Sequence, residues 1–442
     1  MAGLYGATRE WDLVAAAVVP QRMPTGLATG LTPVAAAAVA ATVLLLLTTG
    51  FRFGFGNQVQ AILDTASRPQ FARLPDQDLQ RIVAFVWPLE RPFAIAANSH
   101  TMVLACGVLT VFGCCFALLR IIARLAAADA IGLAAGGLLI GMTYLDSGSA
   151  CLSGDALVGG YLGATQVATA LVALSLACAV DGSPRVAVAL LGVAFDMETA
   201  VALWGVVGLA GASVALARDG APVGRAWLTG GVCALVLGAP AVMWWAREIA
   251  GGGFAGDYVA WLGVARPDQI LAWTVPLERW VLMGSALVLG LAAFSVLGSD
   301  ARATCGAFLG FLAVFAVGCV LPLLIDNPWL LILRPMAADT FLQLLAAVAA
   351  IAVVLRDLRG GGGVLRVALS VAIAACLLLH RYLLPLAALL MLTRAAAAHG
   401  ELLGLERRIR DCNQVTLCRV ALAVVLLAGV AGGVVRGGLP LH

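Results

Sequence analysis

Residues 186–217 read VAVALLGVAFDMETAVALWGVVGLAGASVALA. A membrane-crossing helix needs about 20 predominantly apolar residues. This run is too long for one crossing and awkward for two, and Asp196-Met197-Glu198 interrupts it in the middle. A second stretch, 367–394, has the same character and is interrupted by His380-Arg381. Each is read as a pair of short helices meeting at a polar turn. Working outward, ordinary spans are predicted at 31–49, 101–123, 128–144, 156–180, 226–245, 279–297, 305–325, 337–355 and 415–434.

Charge decides between the paired and single readings. With two pairs and a cytoplasmic N-terminal segment (1–30), Arg120, Arg124, Arg185, Arg218, Arg225, Arg302, Arg356, Arg359, Arg366, Arg394, Arg407, Arg408 and Arg410 all fall on the cytoplasmic side. The short outer connections then keep Arg334 and Arg381, with Arg436 near the C-terminus. Single spans would put the Arg356 to Arg366 cluster outside, against the excess of basic residues that cytoplasmic loops carry. The paired reading predicts an all-α, polytopic transmembrane helix bundle of about 11–13 spans. It forms one membrane domain over 1–442, with large outer loops at 50–100 and 246–278. Within the first loop, Val59, Ile62 and Leu63, then Leu79, Ile82, Val83 and Val86, follow helical spacing. They predict two short amphipathic helices on the membrane surface.

Composition agrees. The chain is 62% hydrophobic and 12% charged, where a soluble domain carries roughly 25% charged residues. A net charge of +3 is too small to suggest nucleic acid as a partner. Most of the 11 cysteines sit in apolar runs without metal-ligand spacing and read as small hydrophobes. The first 30 residues lack a charged start, apolar core and cleavage site, so the first apolar run is read as a retained span.

The polar residues with chemical capacity collect on the predicted non-cytoplasmic side. After the first span, Gly54-Phe55-Gly56-Asn57-Gln58 leads to Asp64, a carboxylate able to take a proton from a sugar hydroxyl. The plainer alternative is a solvated interfacial helix. Asp196 and Glu198 follow a leg too short to cross fully, a depth at which ionisable residues usually line a cavity; an ordinary polar turn is the alternative. Arg334, before a late span, offers a fork suited to phosphate, against snorkelling or pairing with Asp326 or Asp339. Asp257, Asp268 and Gln269 in the 246–278 loop, and His380-Arg381 at the second broken pair, complete the candidate binding residues.

In this order the pieces resemble the GT-C class of membrane glycosyltransferases, nearest to a bacterial group of GT-C-like membrane proteins. The resemblance rests on Gly54-Phe55-Gly56-Asn57-Gln58, on Asp257-Tyr258-Val259 with Arg266-Pro267, and on Leu333-Arg334-Pro335. Where related sequences carry histidines, this chain has Asp268-Gln269 and Asp196-Met197, which differ in pKa and ligand geometry. The resemblance implies transfer of a sugar from a polyprenyl-phosphate donor, at the outer face of a bacterial inner or plasma membrane, in envelope polysaccharide or glycolipid synthesis. Asp64 would be the base, with Asp196 and Glu198 as secondary acids or metal ligands. Arg334 would hold the donor phosphate, and Asn57 and Gln58 polar groups of sugar or acceptor. Some enzymes of that class use Mg²⁺ or Mn²⁺, and such hard cations take carboxylate oxygens. Two rivals stand beside it: a transporter or flippase built on the two broken helices, and a non-catalytic subunit of a polysaccharide assembly. The cytoplasmic half of the spans reads as nearly featureless, which favours the enzyme over the transporter.

Overall fold

The computed structural model describes residues 27–49, 100–142, 152, 164–250, 263, 267, 270–325, 327–331, 333–359, 363–379 and 381–398. Asn57, Gln58, Asp64, Asp257, Asp268, Gln269, Asp326 and His380 lie outside them, as do the predicted surface helices and the span at 415–434. The described residues are 92% helical and contain no strand.

Thirteen described helices carry the fold: α1 (Leu27–Thr49), α2 (His100–Ala126), α3 (Ala130–Met142), α4 (Ala164–Val180), α5 (Pro184–Met197), α6 (Thr199–Arg218) and α7 (Val223–Leu237), then α8 (Ala239–Ala250), α9 (Leu277–Leu297), α10 (Arg302–Leu324), α11 (Asp339–Arg359), α12 (Val364–Leu379) and α13 (Leu384–Ala398). Single turns at Pro328–Leu331, Pro335–Ala338 and Arg381–Leu383 connect some of them. Among the described residues, five stretches are long and apolar enough to cross a membrane: 104–126, 199–218, 277–324, 335–359 and 381–398. Large apolar side chains stand exposed on them, including Leu309, Val317 and Leu389. By length and composition these helices are compatible with an integral membrane protein.

Both interrupted stretches fold back on themselves. Pro184 starts α5 at the position where a missing N–H costs nothing. Glu198 ends it in an extended conformation, φ −152° and ψ 104°, and its carbonyl accepts from Ala202 to open α6. Leu191 Cδ2 lies 3.0 Å from where a Cβ on Gly205 would stand, and the two residues are equally far in sequence from Glu198. That is the signature of a helical hairpin. In the second stretch Ser370 and Arg394, equally spaced about Tyr382, both reach Asp357. The span predicted at 226–245 differs: it divides into α7 and α8 at Gly238, just before Pro240. Proline lacks the amide and clashes with the preceding turn, so a break there follows.

At the centre stands α11. Every residue from Asp339 to Leu355 is buried, and it packs against α2, α3, α9, α10 and α12. Lipid tails are as apolar as leucine, so helices in a membrane associate through close packing of small residues. The α6–α10 crossing follows that rule. A Cβ on Gly310 would lie 2.6 Å from the Val207 carbonyl oxygen, and Gly211 and Gly306 meet backbone to backbone. Phe311 of α10 fills the next layer, stacked on Phe341 of α11 with ring centroids 4.5 Å apart.

The bundle has two unlike ends. At one, arginines bridge neighbouring turns: Arg120 to Asp181 at 2.5 Å, Arg302 to Asp219 at 2.7 Å, Arg356 to Asp300 at 3.4 Å and Arg359 to Asp129 at 3.7 Å. At the other lie the α5–α6 turn, the turn before α11 and the start of α9.

Candidate functional site

The α5–α6 turn delivers Glu198. Its side chain is 6% exposed and stands at the N-terminus of α6, where the helix dipole favours a negative charge. Facing it is Arg334, with a side chain 11% exposed, whose Nη2 donates to Glu198 Oε1 at 3.3 Å. The two residues come from segments with no local relation.

Arg334 is held there by its backbone. It adopts the left-handed conformation, φ 42° and ψ 52°, which costs a non-glycine residue roughly 1–3 kcal/mol. The surroundings over-determine it. Arg334 N–H donates to the Leu331 carbonyl at 3.0 Å, and its own carbonyl accepts from Ala337 at 2.9 Å. Trp204 Nε1 of α6 donates to the Leu333 carbonyl at 3.0 Å. On the other side Gly318 of α10 supplies a seat, since a Cβ there would stand 2.6 Å from the Pro335 carbonyl carbon. The turn is thus wedged between α6 and α10 and aims the guanidinium at Glu198.

Asp196 points elsewhere. Its Oδ1 accepts from the Ala241 N–H at 3.0 Å. Ala241 lies in the first turn of α8, where backbone amides have no partner within the helix, and Pro240 is the reason a new helix starts there. The carboxylate caps that break from a neighbouring hairpin, as membrane helices require of broken segments. Trp245 Nε1 makes a second tie to Thr199 Oγ1 at 2.9 Å.

A third polar group lies beside these. Asp339, fully buried at the start of α11, accepts from the Leu152 N–H, whose carbonyl accepts from Arg279 Nη1 at 3.1 Å. Of the partners expected for Arg334, Asp326 lies outside the described residues; the described ion pair is with Glu198. Arg381 is not part of this cluster: its guanidinium lies 4.9 Å over the half-exposed Tyr382 ring, an interfacial arrangement.

The cytoplasmic half of the spans was expected to be nearly featureless, and the end assigned to it holds a buried polar cluster. Near the arginine end, Arg394 of α13 grips Asp357 of α11 with both arms of its fork, Nε to Oδ2 at 2.6 Å and Nη2 to Oδ1 at 2.7 Å. Ser370 Oγ of α12 donates to Oδ2 at 2.8 Å. All three side chains are buried, and Arg394 Nη1 has no partner among the described residues. Sequence reading ended this span at 355, whereas α11 runs on to Arg359, so Asp357 is helical. The equal spacing of Ser370 and Arg394 about the turn was the available signal.

Asp196 and Glu198 diverge, and among the described residues no three His, Cys, Asp or Glu side chains gather to hold a metal. The donors at this end suit an anion through Arg334, and the described residues do not supply a Mg²⁺ or Mn²⁺ site. No family model matches the chain, and no curated protein or solved structure matches it either.

Proposed function

We propose that this integral membrane protein is a GT-C-like glycosyltransferase, acting on a polyprenyl-phosphate-linked sugar at the membrane face formed by the α5–α6 turn and the turn before α11. The observation that carries the reading is the meeting of Glu198 and Arg334, two nearly buried side chains, at that end of a lipid-embedded bundle. In the transfer, the acceptor hydroxyl attacks the anomeric carbon and the bond to the donor phosphate breaks. Asp64 takes the hydroxyl proton. Arg334 balances the charge that collects on the leaving phosphate, a task its planar fork suits. The arginine end faces the cytoplasm, in line with the positive-inside bias. A single cysteine at Ser299, in an otherwise cysteine-free chain, is then labelled only after the cells are opened; labelling of intact cells reverses the orientation.

The test is transfer in proteoliposomes supplied with a polyprenyl-phosphate sugar. Asp64→Asn and Arg334→Ala abolish product, and retained transfer in both removes the assignment. One observation favours a second reading, transport of a lipid-linked or small polar substrate. Asp357, Arg394 and Ser370 put buried polar groups at the other end of the same central helix, as a path with a polar site towards each face requires. Uptake into sealed vesicles with no covalent product selects that reading over the enzyme.

A further inference from the structure

We propose that the foot of α7 binds an anionic phospholipid, with Arg185, Arg218 and Arg225 on its headgroup phosphate and an acyl chain along the exposed face of α7. The site stands apart from the sugar-transfer and transport readings and requires only that the bundle lies in a bilayer. α7 buries a narrow stripe, Val223, Ala226 and Gly230, on the side of α5. A Cβ on Gly230 would stand 2.8 Å from the Arg185 carbonyl oxygen, and Gly192 meets Ala234 one turn further on. The two helices therefore rise side by side from the arginine end. The opposite face of α7 is open, with Leu228, Val232, Leu235 and Val236 each at least 60% exposed. They follow Arg225 at i+3, i+7, i+10 and i+11, so the arginine stands at the foot of their stripe. From Arg225 to Val236 the helix rises about 16 Å. That is roughly half of a hydrocarbon core about 30 Å thick, the depth of one leaflet.

The charge at this foot is in surplus. The α4–α5 and α6–α7 turns carry two acids, and each is already engaged, Asp181 by Arg120 at 2.5 Å and Asp219 by Arg302 at 2.7 Å. Arg185, Arg218 and Arg225 are exposed and have no side-chain partner among the described residues. Arg218 and Arg225 flank a connection that folds back on α6, where the Ala221 N–H donates to the Leu216 carbonyl at 3.1 Å. Helix stability explains only Arg218, which sits in the last turn of α6, where the dipole favours a cation. Arg185 and Arg225 lie in the first turns of α5 and α7, which hold no acid, and a cation is disfavoured at that end. Three guanidinium forks beside an apolar stripe of leaflet depth match the two halves of a phospholipid. The forks donate to phosphate oxygens, and the stripe takes a chain. An anionic headgroup fits better than a zwitterionic one, because it brings the net negative charge that the surplus lacks.

The experiment titrates the full chain in neutral detergent with phosphatidylglycerol or phosphatidylcholine of the same acyl chains, read by native mass spectrometry. Inorganic phosphate is added as a competitor. Each basic residue beside an anionic lipid contributes about fivefold. The wild type retains phosphatidylglycerol in preference to phosphatidylcholine, and inorganic phosphate does not displace it. Arg225→Gln weakens that binding about fivefold, and the variant with Arg185→Gln, Arg218→Gln and Arg225→Gln together weakens it about a hundredfold. Arg124→Gln, which removes the same charge from the last turn of α2, leaves it nearly unchanged. All these side chains are exposed, so every variant unfolds at the wild-type temperature. Equal retention of the two lipids by the wild type overturns the anionic ligand. A triple variant that keeps the preference overturns the three arginines as its seat. An effect of Arg124→Gln as large as that of Arg225→Gln reduces the binding to overall charge and overturns the site. Displacement by inorganic phosphate overturns the lipid source.

Discussion

Two buried carboxylate–arginine pairs lie at opposite ends of this molecule, and they are built differently. Asp357 and Arg394 form a two-armed clamp, reinforced by Ser370, that joins the central helix to both legs of the α12–α13 hairpin. Glu198 and Arg334 meet through a longer contact, and the strain sits in the backbone that aims the arginine. In the first pair the side chains hold the helices together. In the second the helices hold the side chains in place. The same chemistry therefore does structural work at one end and, on the proposed function, serves the site at the other.

The largest effect tests the first half of that contrast. Arg394→Ala strands the Asp357 carboxylate among α11, α12 and α13 and destabilises the protein by about 3–5 kcal/mol, read as unfolding in detergent. A loss no greater than that of an exposed pair breaks the distinction. Gly318→Ala comes next. Its new Cβ meets the Pro335 and Met336 backbone, an overpacking of about 1–3 kcal/mol, and binding of farnesyl phosphate, a short polyprenyl phosphate, falls because the Arg334 turn is displaced. A stable Gly318→Ala variant that binds normally shows that the seat does not aim the arginine.

Arg334→Ala costs about 1–2 kcal/mol, less than Arg394→Ala because the dipole at the N-terminus of α6 still compensates the Glu198 carboxylate, yet removes binding. Stability loss equal to that of Arg394→Ala would make the two pairs alike. Asp196→Asn keeps an acceptor for the Ala241 amide and is nearly neutral, while Asp196→Ala costs about 1 kcal/mol, the usual value of a lost cap. If Asp196→Asn also stops transfer in proteoliposomes, the aspartate has a chemical role beyond capping. Smallest is Arg302→Ala. Its bridge to Asp219 is about half exposed, and its loss stays within about 0.5 kcal/mol in thermal unfolding.

Much of the scaffold was legible because hydrophobic runs announce themselves. The ends of α2, α9 and α10 fall close to those read from composition, and the polar triplet 196–198 and the pair 380–381 marked both hairpin turns. The interior arrangement was not legible. α11 is no more apolar than its neighbours, so nothing local says that it alone has every residue from 339 to 355 buried. Asp196 and Glu198 read as a pair because they adjoin in sequence, but the turn sends one to α8 and the other to the turn before α11. Pro240 lies inside an apolar run long enough for one span, and its effect emerges only once Asp196 is seen capping the new helix. Arg334 stood out by its isolation among apolar residues, while Glu198 comes to it from a hairpin far away in sequence.

The contrast between the pairs is tested most directly by titrating farnesyl phosphate into Arg334→Gln and Arg394→Gln side by side, in nanodiscs, with folded fraction measured in each. The account predicts that Arg334→Gln stays folded and loses binding, whereas the folded fraction of Arg394→Gln is less stable and binds like the wild type. Binding retained in Arg334→Gln and lost in folded Arg394→Gln would contradict it, placing the anion site at the other end of the bundle.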